Sequence, residues 1–186
     1  MILTIPYNNI RICNILNIPS TIINNKITTL LLYMIYQFTY LSILEFEEEY
    51  KNNNYNTIQE IYLDNFNIVV SLNNFILIAY NIYTLEVIGG CLLDKTDDLR
   101  FKNIMSPWVS NVIIKLSHRG LGLSKPILSK FNEICIIKKQ SRYFLYCKKS
   151  LIKFYHKLGY KYIFTFNQNG KTKYVFYTHL THHYKQ

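Results

Sequence analysis

Glycine and proline are scarce in this sequence, which has six glycines and four prolines among 186 residues. No Pro/Gly/Ser-rich linker divides the chain, and no internal repeat is visible. The length fits one domain, over residues 1–186, with a core large enough to fold alone. Hydrophobic residues make up 49% and aromatic residues 16% of the chain, so the chain as a whole is not an intrinsically disordered protein.

Cysteine is also sparse, and a long uninterrupted apolar run is missing. The four cysteines are far apart and form no C-x-x-C pair, which argues against a zinc ribbon and a small disulfide scaffold. No charged-then-apolar signal peptide opens the sequence, so we expect an intracellular, cytoplasmic protein. The most apolar stretch, Leu30–Leu44, contains polar residues and is shorter than the roughly 20 residues that span a bilayer. We therefore expect a buried helix and no membrane partner.

Acidic residues are outnumbered by basic ones, 11 against 21, which gives a net charge of +10. A basic surface can attract the phosphates of a cofactor, a nucleic acid or an anionic membrane. Alternatively, lysine is simply the solubilising residue in a composition dominated by Tyr, Ile, Asn and Lys, which is typical of A/T-rich coding. A nucleic-acid-binding module that uses tyrosines for base stacking therefore stays open at this point.

The first part of the chain predicts helices and the middle predicts strands. Hydrophobic spacing and turn signals indicate, in order, an edge strand at Tyr7–Leu16, a helix from Thr28 or Thr29 to about Phe46, a shorter helix or irregular region up to about Phe66, and strands at Ile68–Leu72, Phe75–Tyr80 and Leu85–Leu93. The last two strands, after a turn near Asn81, are predicted to form a hairpin.

The second half alternates strands and helices. The predicted order is a polar loop at Asp94–Asp98, a strand at Trp108–Ile114, a helix at Leu123–Ile137, a strand at Tyr143–Cys147, a helix at Ser150–Leu158 that ends at Gly159, and strands at Tyr160–Phe166 and Lys173–Thr178 joined by an Asn169–Gly170 turn. A helical section followed by this alternation predicts an α+β fold on one mixed sheet.

The most informative segment joins the strand that ends in Val112, Ile113 and Ile114 to the following helix. The connection contains Gly120 and Gly122, and Pro126 falls in the first helical turn, where its missing N–H costs little. A strand that runs through a glycine turn into a helix points several backbone N–H groups at one spot, which is a site for phosphate. The third glycine of a Rossmann fingerprint and the Gly-Lys-Ser/Thr of a P-loop are absent.

Three segments together resemble the GNAT (Gcn5-related N-acetyltransferase) family. Arg119–Ser124 resembles its pyrophosphate loop, Arg/Gln-x-x-Gly-x-Gly/Ala, and Lys153–Tyr160 resembles its F-Y-x-x-L-G-F signature. Upstream, Phe75–Tyr80 and Val87–Gly90 resemble its central hairpin. The resemblance covers about residues 68–166. It implies a GNAT-like α+β fold, a central mixed, mostly antiparallel β-sheet flanked by helices, with an acceptor-side helical section at 1–66 and a tail at 180–186.

The resemblance also implies roles. It implies acetyl-CoA as acyl donor, with the pyrophosphate held by a loop made of Arg119, Gly120, Leu121, Gly122, Leu123 and Ser124. The strand residues Val112, Ile113 and Ile114 would pair with the pantetheine arm, and one of their amides could steady an oxyanion. Tyr155 would protonate the departing thiolate, since a phenol with an ordinary pKa of about 10 stays protonated near neutrality. The acceptor would be a primary amine that the sequence does not identify, and it does not give the oligomeric state.

Several positions depart from the family pattern. Ser124 replaces the last Gly/Ala of the loop, Lys148 stands where many members carry an Asn that binds pantetheine, and Trp108 stands where the histone-modifying branch carries a general-base Glu. The general base is therefore unassigned. Cys147 lacks a neighbouring base in sequence, so we expect direct attack on the thioester and no covalent cysteine intermediate.

Charged groups elsewhere each have two interpretations. Glu45 and the acidic run 47–49 could attract a cationic acceptor, such as a polyamine or a peptide lysine, or form a solvated helix end. Lysines 149, 153 and 157 share a helix face and could hold the 3′-phosphate of the cofactor or only face water. His118 could shuttle a proton or only line the loop. The His179-x-x-His182-His183 run lacks a second ligand group, so we expect no metal site.

Overall fold

The structure is a computed structural model that describes residues 3–4, 9–14, 26–52, 57–70, 74–94, 101 and 104–180. The chain divides into two compact units. Unit 1 comprises Met1–Leu92 and Asn111–Lys130, and unit 2 comprises Leu93–Ser110 and Phe131–Gln186. The single domain predicted from the sequence stays a prediction. The predicted loop Asp94–Asp98 falls mostly outside the described residues, as does the predicted C-terminal tail.

Unit 1 combines strands with two long helices. Its elements are β1 (Leu3–Thr4), β2 (Ile10–Asn14), α1 (Lys26–Asn52), α2 (Ile58–Val70), β3 (Phe75–Asn81), most of β4 (Val87–Asp94), the end of β5 (Trp108–Ile114) and the start of α3 (Ser124–Ile137). The strands follow the order β1-β2-β3-β4-β5, and β1/β2 and β2/β3 are antiparallel. The side chain of Asn81 accepts the N–H groups of Tyr83 and Thr84 at 2.9 and 3.2 Å, which fixes the predicted turn of the β3–β4 hairpin.

The core of unit 1 lies between α1 and the strands. Met34, Ile35 and Phe38 occupy one face of α1 at helical spacing and are fully buried. They pack against a set of strand side chains that includes Ile76, Ile78, Val87, Leu92 and Ile113. Each such side chain contributes about 1.5–3 kcal/mol through burial. A buried hydrogen bond of 2.8 Å from Asn65 Nδ2 to Thr39 Oγ1 also joins α2 to α1.

The segment Ile68–Leu72 was predicted as a strand, and this prediction is wrong. Residues 68–70 belong to α2, and residues 71–73 lie outside the described set. A short apolar run is ambiguous between strand and buried helix, and the start of the helix decides it. The N–H of Glu60 donates to Thr57 Oγ1 and the N–H of Thr57 donates to Glu60 Oε2, both at 3.2 Å. This Thr-x-x-Glu capping box is a sequence signal for a helix that begins at residue 58.

One stretch of α1, Thr29–Phe46, is long and apolar enough to cross a membrane by length and composition, and 28% of it is buried. Core helices of soluble proteins meet the same criterion. The expectation of a buried helix holds for one face only, because Tyr33, Tyr36 and Tyr40 are about half exposed. The absence of a membrane partner stays a prediction.

Unit 2 carries the strand β6 (Arg142–Cys147), the helix α4 (Ile152–Lys157) and the hairpin β7 (Lys161–Gln168) and β8 (Lys171–His179). The order is β5-β6-β8-β7; β5 is parallel to β6 through Trp108 and Phe144, and the other pairs are antiparallel. Gly159 ends the α4 segment at φ +86°, and Asn169 and Gly170 form the hairpin turn at φ +52° and +75°. Those turn signals are confirmed. The mixed, mostly antiparallel sheet with flanking helices confirms the α+β prediction.

The Gly89–Gly90 pair in β4 has a steric reason. A Cβ on residue 90 would overlap the carbonyl oxygen of Leu77 and lie 2.9 Å from Cε2 of Phe38. A Cβ on residue 89 would lie 2.6 Å from the carbonyl oxygen of Ile113. Backbone oxygens cannot move aside as a flexible side chain can, so β4 must lack side chains where its neighbours approach it.

We expect Gly90→Ala to lower the free energy of unfolding by about 3 kcal/mol, the upper end of the usual cost of overpacking a core. The measurement is urea denaturation followed by circular dichroism. Gly159→Ala is the control, because a Cβ there meets nothing within 4 Å and only the left-handed backbone is strained, which costs roughly 1–2 kcal/mol. Equal losses in the two variants would contradict the steric explanation.

Candidate functional site

The connection from β5 to α3 contains a short 3-10 helix and two glycines. The N–H of Lys115 donates to the carbonyl of Ile88 at 2.8 Å, which holds the end of β5 beside β4. A short 3-10 helix, Leu116–His118, follows, and α3 begins at Ser124. Gly120 and Gly122 between them have φ +78° and +74°, which is a conformation that glycine adopts without strain. The two glycines therefore let the chain reverse sharply before the helix starts.

The N–H groups of residues 120–124 form no hydrogen bond with any part of the chain that the structure describes. Residues 120–122 are exposed, and a Cβ on Gly120 or Gly122 would meet nothing within 4 Å, so the space beside the loop is open. Adjacent free N–H groups at the start of a helix attract an anion, and the helix dipole adds to the attraction. The loop can therefore accept an anion, and its predicted binding of a pyrophosphate stays a prediction.

Arg119 connects this loop to α1 and β5. Its Nε donates to the carbonyl oxygen of Ile114 at 2.9 Å, and its Nη2 lies 2.5 Å from Oε2 of Glu45. Both side chains are partly exposed, so the ion pair contributes little to stability and acts mainly by restricting the guanidinium. Glu45 is therefore paired with a cation of the chain itself, which disfavours the interpretation that it attracts a cationic acceptor. The side chains of residues 47–49 lie outside the described set.

A cavity of about 670 Å³ in unit 1 lies next to Arg119. It is bounded by α1, the start of β4, the end of β5 and the turn that follows; the lining residues are Tyr36, Gln37, Tyr40, Leu41, Leu44, Glu45, Glu86, Val87, Ile113, Ile114, Lys115, Leu116, Ser117 and Arg119. This cavity was not among the features predicted from the sequence. Two tyrosines spaced by four residues on α1 were the available signal, since that spacing places them on one helix face.

The strand residues predicted to meet the pantetheine arm lie at the end of β5. Ile113 and Ile114 are buried and Val112 is half-buried. Asn111, immediately before them, has φ +49°, which interrupts the regular strand conformation. The structure thus brings Val112–Ile114 and the loop of Arg119–Ser124 together in unit 1. That they bind the pantetheine arm and the pyrophosphate stays a prediction. Leu123 is buried, Leu121 is exposed and Ser124 is half-buried.

Tyr155 belongs to unit 2, where α4 buries it to 4% exposure. Its ring packs against Tyr160 and Phe176, with ring centroids 5.4 and 6.1 Å away. Tyr160 shares a hydrogen bond with the hydroxyl of Tyr143, which donates to Oδ1 of Asn132 at 2.7 Å. Tyr155 is therefore part of a buried tyrosine cluster, and its role as an acid stays a prediction.

The other residues selected in the sequence are lysines, histidines and Trp108. Lysines 149, 153 and 157 are exposed, which agrees with a solvated helix face, and Lys148 before the helix is exposed as well. His118 Nδ1 lies 2.9 Å from Oγ of Ser117. Within the described residues no group of three His, Cys, Asp or Glu side chains is placed to hold a metal; His182 and His183 lie outside them. Trp108 is fully buried and donates its indole N–H to the carbonyl of Met105 at 2.7 Å.

Comparison with known proteins identifies the fold. An acetyltransferase from Streptococcus agalactiae 2603 aligns over 94% of this chain and 100% of its own, with a TM-score of 0.63 and 16% identity. An acyl-CoA N-acyltransferase from Pseudomonas aeruginosa aligns over 91% of this chain and 97% of its own, with a TM-score of 0.59 and 13% identity. The yncA protein of Salmonella typhimurium, solved with its cofactor acetyl-CoA, aligns over 69% of this chain and 76% of its own, with a TM-score of 0.54 and 14% identity.

This chain has the GNAT fold. No family model matches it, and no curated protein is similar to it in sequence. The likeness therefore lies in the three-dimensional structure, and it confirms the GNAT-like fold that the three sequence segments implied. In this chain the loop Arg119–Ser124 follows β5, and the Tyr155 segment forms α4.

The thiol of Cys147 is a poor nucleophile in this fold. Burial raises its pKa from 9.0 to about 11, against a smaller lowering by Lys173. At pH 8 roughly one thiol in a thousand is then ionised, and the thiolate grows only as the pH approaches 11. We expect iodoacetamide to modify Cys147 very slowly at pH 8 in the native protein and quickly in urea, measured by mass spectrometry. Equally fast modification in both states would contradict this prediction.

Proposed function

We propose that this protein is an acetyl-CoA-dependent N-acetyltransferase, which transfers an acetyl group to a primary amine by direct attack in a ternary complex. One observation carries the proposal: the run of free backbone N–H groups at residues 120–124, at the start of α3 in a GNAT fold. The Salmonella typhimurium protein of the same fold was solved with acetyl-CoA, which supports the same donor here.

The chain's residues would divide the binding between them. The N–H groups of residues 120–124 bind the pyrophosphate oxygens, and Arg119, held by Glu45 and the Ile114 carbonyl, fixes the start of the loop. Backbone groups of Val112, Ile113 and Ile114 orient the pantetheine arm. Acetyl-CoA supplies the thioester whose carbonyl carbon is attacked.

The chain's part in the chemistry is to orient groups and to move protons. The amine must be unprotonated when it attacks, and an amide of residues 112–114 donates to the oxygen that becomes negative. Tyr155, matched through the Lys153–Tyr160 segment, gives a proton to the departing sulfur. Cys147 takes no part, because its raised pKa keeps it protonated. We leave the base that accepts the proton of the amine unassigned, because no described carboxylate of the cavity lacks a cationic partner.

Isothermal titration calorimetry with acetyl-CoA tests the loop. We expect saturable binding by the wild type and at least a tenfold weaker binding by Gly122→Trp, because the side chain would strain a backbone of φ +74° and fill the open space beside the N–H groups. Gly170→Trp is the matched control: its φ is +75°, a Cβ there also meets nothing within 4 Å, and it lies in the β7–β8 turn. It should bind as the wild type does.

Wild-type protein that binds no acetyl-CoA would overturn the proposed function. The same titration with single-stranded nucleic acid, at two salt concentrations, covers the other consequence of the +10 charge. Salt-sensitive nucleic-acid binding without acetyl-CoA binding would make a basic binding module on the GNAT fold the better description.

Steady-state kinetics test Tyr155. We expect Tyr155→Phe to lower kcat by about a hundredfold with little change in the KM of acetyl-CoA, because the ring is kept and the proton donor is lost. Tyr160→Phe is the control: it removes a buried hydroxyl from the same cluster, one that is bonded to Tyr143. Similar kcat losses in both variants would show that the Tyr155 hydroxyl supports the structure of the cluster and is not the proton donor.

A further inference from the structure

The cavity beside α1 has the size and lining of a small-molecule site. Its volume of about 670 Å³ lies within the range of 300–1,000 Å³ that is usual for such sites. We propose that it binds the acceptor, and that the acceptor is an amine carried on an aromatic or apolar body rather than a polyamine or a lysine-rich peptide. This inference rests on the proposed function.

The walls of the cavity are aromatic and aliphatic. Tyr36 and Tyr40 lie one helical turn apart and are 48% and 46% exposed, while Leu44 and Leu116 are 63% and 76% exposed. Large apolar side chains exposed around one cavity mark a surface that another apolar group covers. Two tyrosine rings favour a flat aromatic group, since offset or edge-to-face packing of rings adds to simple burial.

The amide of Gln37 and the charged groups of the cavity are already engaged. Gln37 uses both ends of its amide, since its Nε2 donates to the carbonyl of Leu85 at 3.1 Å and its Oε1 accepts the N–H of Val87 at 3.0 Å. Glu45 pairs with Arg119, and Glu86 pairs with Lys115. The four charges of the lining therefore cancel in pairs.

Charge cancellation separates the acceptor classes. A polyamine brings several ammonium groups, each of which needs a carboxylate in place of its lost water, and the carboxylates of this cavity are paired with Lys115 and Arg119. A single amine on an apolar body gains from burial instead. Apolar surroundings also lower the pKa of the bound ammonium, so the cavity favours the free base that attack on a thioester requires.

The cavity adjoins the residues proposed to hold the donor. Ile113 and Ile114 contribute to the lining and belong to the strand segment assigned to the pantetheine arm, and Arg119 belongs to both the lining and the loop. Within unit 1, donor and acceptor binding would thus share one strand end.

The experiment compares phenethylamine with spermidine as acceptors, using saturating acetyl-CoA and free coenzyme A as the readout. We expect phenethylamine to give the higher kcat/KM. Tyr40→Ala should raise the KM for phenethylamine about tenfold and leave the KM for acetyl-CoA unchanged, because it removes a ring from the cavity wall. Tyr33→Ala is the matched control: Tyr33 is on the same helix, is 53% exposed and does not line the cavity.

A second measurement separates this inference from the proposed function. Phenethylamine binding to the protein without acetyl-CoA is followed by calorimetry, and it should weaken in Tyr40→Ala and persist in Tyr33→Ala. Preference for spermidine, equal behaviour of the two tyrosine variants, or absence of phenethylamine binding would each overturn the inference. Absence of acetyl-CoA binding with intact phenethylamine binding would overturn the proposed function and leave the ligand site standing.

Discussion

Unit 1 depends on the close approach of α1 to β4 at Gly90. Phe38 lies over the strand because residue 90 has no side chain, and the carbonyl oxygen of Leu77 borders the same space. Once Phe38 is fixed there, the 3.6-residue period of the helix decides the rest. Met34 and Ile35 enter the core, and Tyr36 and Tyr40 are turned out beside it. The packing of Phe38 on Gly90 thus also places Tyr36 and Tyr40, two residues away on either side, in the wall of the cavity.

The loop between β5 and α3 is defined by hydrogen-bond donors rather than by close packing. Two glycines in left-handed conformation direct a run of N–H groups outward, and no chain atom of the described residues accepts them. Such donors are satisfied by water in the free protein and by anionic oxygens in a complex. The ion pair of Arg119 with Glu45 joins this loop to α1, across 74 residues of sequence. The β5–α3 loop and the wall of the cavity are therefore connected through the guanidinium of Arg119.

The sequence was most informative where local rules suffice. The bounds of β5 were predicted to the residue, and the stop at Gly159 and the Asn169–Gly170 turn follow from backbone preferences that need no partner. The prediction of a strand at Ile68–Leu72 was wrong because a short apolar run occurs in both strands and buried helices. The Thr57–Glu60 capping box was the signal in the sequence that favoured a helix. The cavity could not be predicted from the sequence, because it depends on contacts such as Gln37 with Leu85 and Glu45 with Arg119, which form only when the chain is folded. The functional roles of Tyr155 and the loop came from the resemblance, and they stay predictions.

The single tryptophan has an optical consequence. Trp108 is fully buried in unit 2 and is surrounded by Phe101, Phe144 and Tyr146, with ring centroids 5.7–6.0 Å away. Its fluorescence should therefore be shifted to short wavelength while the unit is folded, and all indole emission reports on that unit. The helical circular dichroism signal comes mainly from unit 1, where α1 and α2 contribute 27 and 13 residues. The chain thus carries two separate spectroscopic channels, one for each unit, without any added label.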